Sequence, residues 1–266
     1  MLTGGAMAAP HEDAFMRVWN LHRQAGTNHA AMAAACREAA TQTSARDTTP
    51  LLGSFLPVVR SIEGWHLLQD GRTAEAQTAF ESALDRGAGG ADTCAQAADT
   101  LARRWLSRLD REQVVTALQA YYREQVSYPD DLAVFNGWSP ERRPPLRDRK
   151  GDPWHYQPAR FRRLKTDDGQ RYLLTIRSIG RATSDLSAAL ARHPPDHALA
   201  FTLRQRSSPA LVELRFGDGR SPPVVVQEGG RAAGLRLVAI DGNGRFLLLC
   251  DDDFWHTAIP ARGGRP

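Results

Sequence analysis

The sequence predicts a multidomain α+β protein, with helical hairpins first and a small all-β module last. One observation is an alanine-rich segment with helical spacing from Phe15 to about Val126. Another is a series of short β-prone runs from about Ala198, separated by glycine-rich turns. Between them lies a proline-rich, arginine-rich stretch. These observations predict three regions, at residues 1–92, 93–190 and 191–266.

The composition indicates a folded chain that needs no disulfide or zinc. Its 266 residues are 42% hydrophobic, and the formal net charge is +4, which allows sizeable cores. Cys36, Cys94 and Cys250 are far apart and form no Cys-x-x-Cys pair. The most apolar stretch, Leu51 to Leu68, contains Pro57, Arg60 and Glu63, so we expect no membrane span.

In the first region, the stretch GWHLLQDGRTAEAQTAFESAL has a regular spacing of small and large apolar residues. They are Gly64, Leu67, Gly71, Ala76, Phe80 and Ala83. This spacing resembles one tetratricopeptide repeat over residues 57–90, which implies two antiparallel helices brought together by the small residues. An ordinary helical hairpin with a small-residue contact explains the same spacing equally well.

The second region begins with a predicted helix from about Thr93 to Val126. Its apolar stripe comprises Leu101, Trp105, Leu109, Val115, Leu118, Tyr122 and Val126. Four arginines lie off that stripe and are expected on a solvated face: Arg103, Arg104, Arg108 and Arg111. Pro129 disfavours helical geometry at Tyr128 and ends the helix. Residues 132–171 are predicted as a loop, and Arg171 to Gly180 as a strand.

The third region is predicted to be a curled sheet of five or six strands. The runs are LAFTLRQ, ALVELRF, PPVVVQEGG, LRLVAID and RFLLLCDD. The turn Asp241-Gly242-Asn243-Gly244 is a hairpin signal, because Gly and Asn accept the positive φ of primed turns.

The middle of the chain carries a set of landmarks in a recognisable order. A helix ends in tyrosine and proline, a D-P-W turn follows, and a strand then ends in serine and glycine. The matching residues are Tyr121, Tyr128, Pro129, Leu132, Asp152, Pro153, Trp154, Tyr156, Tyr172, Ser178 and Gly180. Residues 114–185 thereby resemble the carboxy-terminal region of the type II secretion major pseudopilin. The resemblance implies a pseudopilin-like α+β domain with a long helix and a small antiparallel sheet.

The same resemblance raises the question of calcium. The family binds calcium in a loop after the strand, where this chain offers only Ser184 and Asp185. Because calcium takes six or more oxygen ligands, we expect no cofactor. The family also begins with a cleavage site and an apolar helix, where this chain has helical hairpins. Residues 198–262 are similar to the β domains of the secretion clamp protein and of type IV pilus lipoproteins.

Titratable residues are present, but they form no catalytic motif. The candidates are His155, the pair His193 and His197 around Asp196, and Asp251-Asp252-Asp253 with His256. The HPPDH segment is predicted to be an extended linker, and the three aspartates a turn with solvated carboxylates. No nucleophile elbow, phosphate loop or zinc-protease motif occurs. We therefore predict that the chain is not an enzyme.

Arginines around Trp154, Tyr156 and Phe161 suggest a second kind of partner. Basic residues interleaved with aromatics are typical of single-strand nucleic-acid binders. If the aromatics are core residues, an acidic protein partner or simple solvation is favoured instead.

The leading hypothesis is a non-enzymatic assembly or scaffold protein of a type II secretion or type IV pilus-like apparatus. It would act by protein–protein contacts through the helical groove and the strand edges. The alternative is a soluble, TPR-like cytoplasmic adaptor, and a metal-dependent hydrolase is more distant. The first hypothesis implies the cell envelope if an anchor precedes Met1, and the second implies the cytoplasm.

Overall fold

The chain is an α+β protein, with a helical region followed by a nearly closed, barrel-like mixed sheet. A computed structural model describes residues 17–20, 28–45, 55–84, 93–157, 164–166, 169–171, 175–178, 186–192, 199–205, 209–217, 220–240, 244 and 246–261. Two compact units divide the chain, one comprising residues 1–102 with 193–266 and the other residues 103–192. The predicted three-region division stays a prediction, because compactness does not test whether each region folds alone.

The helices before residue 126 lie within the predicted helical region, whereas no helix was predicted at the two short helices that come after it. They are α1 His29–Ala45, α2 Phe55–Gln69, α3 Thr73–Ser82, α4 Thr93–Gln125 and α5 Leu186–Leu190, with a 3₁₀-helix at Leu132–Gly137. The side chain of Asn28 accepts the backbone N–H of Ala31 and so caps α1. Helix α4 ends within one residue of its predicted end.

Helix α2 is the central element of the first unit. Every residue from Ser61 to Leu68 is buried, and α1 and α3 both pack against the helix. A helix that is buried on all sides needs neighbours around its whole circumference. The terminal sheet supplies the remaining side, through Trp255, Phe246 and Phe254.

The seven described strands of the terminal sheet have the order β7-β6-β5-β11-β10-β9-β8. They are β5 Leu199–Gln205, β6 Leu211–Arg215, β7 Val224–Gln227, β8 Arg231–Ala232, β9 Leu235–Ile240, β10 Leu247–Cys250 and β11 Trp255–Pro260. Strands β5 and β11 pair in parallel, and the other pairs are antiparallel. All five predicted runs form strands, whereas β8 and β11 were not among them.

Turn chemistry sets the sheet hairpins. Ala233 and Gly234 both have positive φ, +49° and +81°, and join the paired residues Ala232 and Leu235 as a primed turn. Strands β9 and β10 form the hairpin predicted at residues 241–244, where Gly244 has φ +67°. The remainder of that turn, residues 241–243, lies outside the described residues. Inside the barrel, alternate strand residues such as Leu214, Leu237 and Leu249 form the core.

The second unit contains small sheets beside the long helix. Strand β1 (Trp154–Gln157) pairs antiparallel with β4 (Thr175–Ser178), and β2 (Leu164–Thr166) pairs with β3 (Gly169–Arg171). The prediction of a loop throughout residues 132–171 is therefore wrong. These strands have only three or four residues each, too short for a periodic pattern.

Two predictions about the long helix are also wrong. Arg108 does not lie on a solvated face: it is fully buried, with its guanidinium 4.4 Å from the centroid of the Trp105 ring. Val126 does not continue the apolar stripe, since its side chain is 77% exposed and its φ is +57°. The helix has already ended at Gln125.

The described part of the chain contains no helix with the length and apolar character needed to cross a membrane.

Replacing Val126 by glycine should stabilise the protein by roughly 0.5–1 kcal/mol. A β-branched residue in the left-handed region costs about 1–2 kcal/mol, whereas glycine adopts that region readily despite its larger entropy loss. Urea unfolding measures the change. The control is Val134→Gly in the 3₁₀-helix, which has no positive φ and should destabilise. Destabilisation of similar size by both substitutions would contradict the strain at Val126.

Candidate functional site

The TPR-like residues meet in the hairpin of α2 and α3. A Cβ atom added at Gly64 would lie 2.8 Å from three ring carbons of Phe80, so only glycine allows this close approach. Leu67, Phe80, Ala76 and Ala83 are buried. Gly71 lies in the turn between the helices, with φ +76°.

Another side of α2 is covered by the terminal sheet. The indole Nε1 of Trp255 donates to Ser61 Oγ at 2.7 Å, and Ser61 Oγ donates to the carbonyl of Val58 at 2.7 Å. Trp65 meets Phe254 edge-on, with 6.1 Å between ring centroids. Trp255 lies on the face of the sheet opposite the interior residue Ala258. This part of α2 is therefore occupied within the chain itself.

A buried carboxylate joins α1 to α2. Glu63 accepts Arg37 Nε at 2.8 Å and Arg60 Nη1 at 2.7 Å, and its own side chain is only 4% exposed. Two cations offset the cost of burying this charge. Burial raises the pKa of the nearby Cys36 thiol to about 12, and the charge of Glu63 adds to that rise. Cys36 is thus a neutral thiol at ordinary pH rather than a reactive thiolate.

The pseudopilin-like landmarks of the second unit gather in one apolar cluster. Trp154 is buried against helix residues that include Val114 and Leu118, with Tyr121 at the margin. The Trp154 Nε1 donates to the carbonyl of Pro145 at 2.8 Å. The aromatic landmark therefore acts as a core residue.

Tyr156 ties the strand after the turn to the end of the long helix. Its hydroxyl donates to the carbonyl of Pro129 at 2.9 Å, and Tyr128 also packs against this cluster. Burial, with smaller contributions from Tyr128 and Asp130, raises the pKa of Tyr156 to about 12. Gly180 and Tyr172 lie outside the described residues.

The turn before Trp154 is held by Asp148 and Arg149, for which the sequence predicted no role in the turn. Asp148 Oδ1 accepts the backbone N–H groups of Lys150 and Asp152, both at 2.9 Å. Arg149 makes a bidentate pair with the buried Asp110 of α4, at 2.6 and 2.9 Å. Asp152, the first residue of the D-P-W landmark, takes part through its backbone: its N–H donates to Asp148 Oδ1, and its carbonyl accepts the N–H of Asp148.

The prediction that all three aspartates near the end of the chain are solvated is wrong. Asp253 is buried, and Asp251 Oδ1 accepts the backbone N–H groups of Asp253 and Phe254. Burial alone would raise the pKa of Asp251, but hydrogen bonds from His256 and those two N–H groups outweigh it and lower that pKa. His256 Nε2 lies 3.1 Å from Asp251 Oδ2. This pair closes the β10–β11 hairpin.

Of the remaining candidate ligands, His155 lies in the part of the chain that the structure describes. His155 is half-buried on β1, opposite Arg177. The residues His193, Asp196, His197, Ser184 and Asp185 lie outside the described residues. Among the residues that are described, no three His, Cys, Asp or Glu side chains converge as a metal site would require.

The β7 strand offers a candidate contact surface on the barrel. It stands at one end of the described strand order, beside β6. Val225 is 59% exposed, and Pro222 and Pro223 precede the strand. Prolines near an edge strand limit pairing at that point. The segment Val224–Gln227 therefore carries the exposed side chain of this end strand, and the strand also contacts β8 at the other end of the strand order.

The sequence interpretation missed the polar residues of α2. Ser61, Glu63 and His66 are buried and each has a hydrogen-bonding partner from elsewhere in the chain or from α2 itself. The signal was present, since SIEGWHLL places three polar side chains within a strongly apolar helix. Such residues need partners if the helix is buried.

Replacing Gly64 by alanine should destabilise the protein by about 1–3 kcal/mol, because the new methyl group overlaps the Phe80 ring. Chemical unfolding measures the effect, with Gly137→Ala as the control because nothing lies within 4 Å of a Cβ there. A second substitution, Phe80→Leu, should recover part of the loss in a double-mutant cycle. Equal stabilities of Gly64→Ala and Gly137→Ala would show that the close approach is unimportant.

Replacing Trp154 by alanine should cost about 3–5 kcal/mol of unfolding free energy, as large buried aromatics do. The half-buried Trp138, in the same cluster, provides a matched control whose alanine variant should lose less. Thermal and urea unfolding measure both. If Trp154→Ala kept full stability and lost a binding partner, Trp154 would belong to a functional surface.

Comparison with protein-family models, with curated proteins and with solved structures finds no match for this chain. The resemblances to a pseudopilin, to a tetratricopeptide repeat and to secretion or pilus β domains therefore stay predictions.

Proposed function

We propose that this chain is a non-enzymatic assembly component of a type II secretion or type IV pilus-like apparatus, acting through protein–protein contacts. The observation that carries the proposal is the packing of the middle landmarks. Trp154 and Tyr156 of β1 belong to one apolar cluster with the second half of the long helix, and the Tyr156 hydroxyl donates to the carbonyl of Pro129 just beyond that helix. The order of the landmarks in the sequence and their closeness in space agree with a pseudopilin-like domain.

The contacts of α2 narrow the choice of binding surface. Binding was expected at the helical groove and at strand edges, but Ser61 and Trp65 of α2 face the terminal sheet. A partner could not reach that part of the groove without displacing a buried tryptophan. The β7 edge is favoured instead, since a partner strand can hydrogen-bond to an edge without disturbing the core.

A TPR-like adaptor is the second candidate. The Gly64–Phe80 contact favours it, because this small-residue approach is what the repeat-like spacing predicts. An adaptor of this kind would bind its ligand with the exposed parts of the helices rather than with β7.

Co-purification on the tagged full-length chain distinguishes the candidates. Capture of pseudopilin or pilus components, identified by mass spectrometry and repeated with the purified partner, would support the apparatus proposal. Capture of cytoplasmic clients alone would contradict it and favour the adaptor.

Replacing Val225 by lysine should weaken the apparatus interaction at least tenfold, because a charge on an edge strand opposes strand addition. The control is Ile259→Lys on β11, which is 50% exposed but lies between β5 and β10. Titration calorimetry with the purified partner measures both variants. Equal losses would point to a general apolar surface, and no loss for Val225→Lys would exclude the β7 edge.

A further inference from the structure

Two histidines meet where α1 packs on α2. The Nδ1 atoms of His29 and His66 lie 3.0 Å apart. His29 begins α1 and is half-buried, whereas His66 near the end of α2 is only 2% exposed. A hydrogen bond between two ring nitrogens needs one to donate a proton and the other to accept it. The bond therefore exists only while one of the two Nδ1 atoms carries no proton.

The surroundings of the pair are aromatic. The Trp65 ring meets His29 edge-on at 5.6 Å and His66 edge-on at 4.8 Å between centroids. Phe254 of the sheet packs on the same indole. An apolar wall of this kind makes a second positive charge costly, because it replaces water that would solvate two imidazolium ions.

The charged and titratable groups of the neighbouring elements have bonds among themselves. On α1 and α2, Arg37 and Arg60 both bond to Glu63. Arg72 before α3 pairs with Glu75, and Asp251 of the sheet bonds to His256. On α1, α2, α3 and the turn between α2 and α3, these groups are Cys36, Arg37, Glu38, Arg60, Glu63, Asp70, Arg72, Glu75 and Glu81, and from residue 251 to residue 256 they are Asp251, Asp252, Asp253 and His256.

We infer that the His29–His66 pair is an acid-sensitive clasp that fastens α1 to α2 at neutral pH and releases it in acid. A histidine in an unfolded chain takes up a proton at about pH 6.5. Both histidines of the unfolded chain are thus protonated at pH 5, whereas the folded clasp holds at least one proton fewer. The unfolded state binds more protons, so folding stability falls as the pH drops below about 6.5.

The release would be local. The α2–α3 hairpin is held by the Gly64–Phe80 contact, and α2 is held to the sheet by Ser61 and Trp255, neither of which titrates in this range. Acid would therefore loosen the start of α1 at His29 first, because Arg37 further along α1 stays bonded to Glu63, and the rest of the first unit would stay assembled.

Hydrogen exchange and urea unfolding of the full chain between pH 7.5 and 5.0 test the clasp. The variant is His29→Gln, which keeps a hydrogen-bonding side chain without a titrating ring. Its control is His155→Gln on β1 of the second unit. Below pH 6, the unfolding constant of the wild type relative to that of His29→Gln should rise about tenfold for each pH unit of acidification. The exchange rate of the α1 amides should rise over the same pH range. His155→Gln should keep the wild-type slope.

Parallel pH profiles for wild type and His29→Gln would overturn the inference. If His29→Gln does not fold, ¹⁵N NMR of the wild-type imidazoles measures the pH at which each ring of the pair takes up its proton. The clasp predicts that the pair takes up its last proton only as α1 loosens. Independent protonation of both rings, with α1 exchange unchanged, would exclude it.

Discussion

The burial of the second half of helix α2 is the constraint on which the first unit depends. Its residues from Ser61 to Leu68 are buried, so a polar side chain among them that lacked a partner would destabilise the fold. Ser61 is satisfied by the sheet, while Glu63 and His66 are satisfied by α1, with Arg60 of α2 also bonding to Glu63. These bonds are directional, and the apolar contacts around them are not. The polar residues thereby select one way of packing α1, α2 and the sheet together.

The second unit is organised by a similar combination of apolar packing and a few directional bonds. Trp154 provides the buried area, and the Arg149–Asp110 pair fixes where the turn meets α4. Asp110 is buried, so its charge would be expensive without the bidentate guanidinium. The Arg149–Asp110 pair therefore gives the short turn a defined position on the long helix. The two-stranded sheet of β1 and β4 alone would provide little support for that position.

The sequence was informative wherever the signal is local. The stripe from Leu101 to Leu118 predicted the long helix, and β-branched runs between glycine turns predicted five strands of the sheet, because both patterns follow from the repeat of a single element. It was uninformative where the partner is distant. Nothing near Ser61 or His66 indicates Trp255 or His29.

Local sequence patterns also failed to predict very short strands and the exact end of a helix. Strand β8 has two residues and contains no period, and Val126 follows the stripe in sequence although the backbone has already turned away. Arg108 was assigned to a solvated face because arginine is usually exposed, yet Trp105 provides a surface for its guanidinium. The candidate surfaces were predicted by type, as strand edges and a helical groove. Only the three-dimensional contacts show that part of the groove is filled by the chain itself.

The bond between Trp255 and Ser61 joins residues 194 positions apart in the chain. During synthesis on the ribosome, α2 emerges long before the strands that cover it. The apolar side of α2 therefore stays exposed while the whole second unit is translated. Apolar surfaces that are exposed during folding bind chaperones and are prone to aggregate. A fold with this order of elements matures only once its late strands have been made. Its yield in the cell should therefore depend on chaperone capacity as much as on the stability of the finished protein.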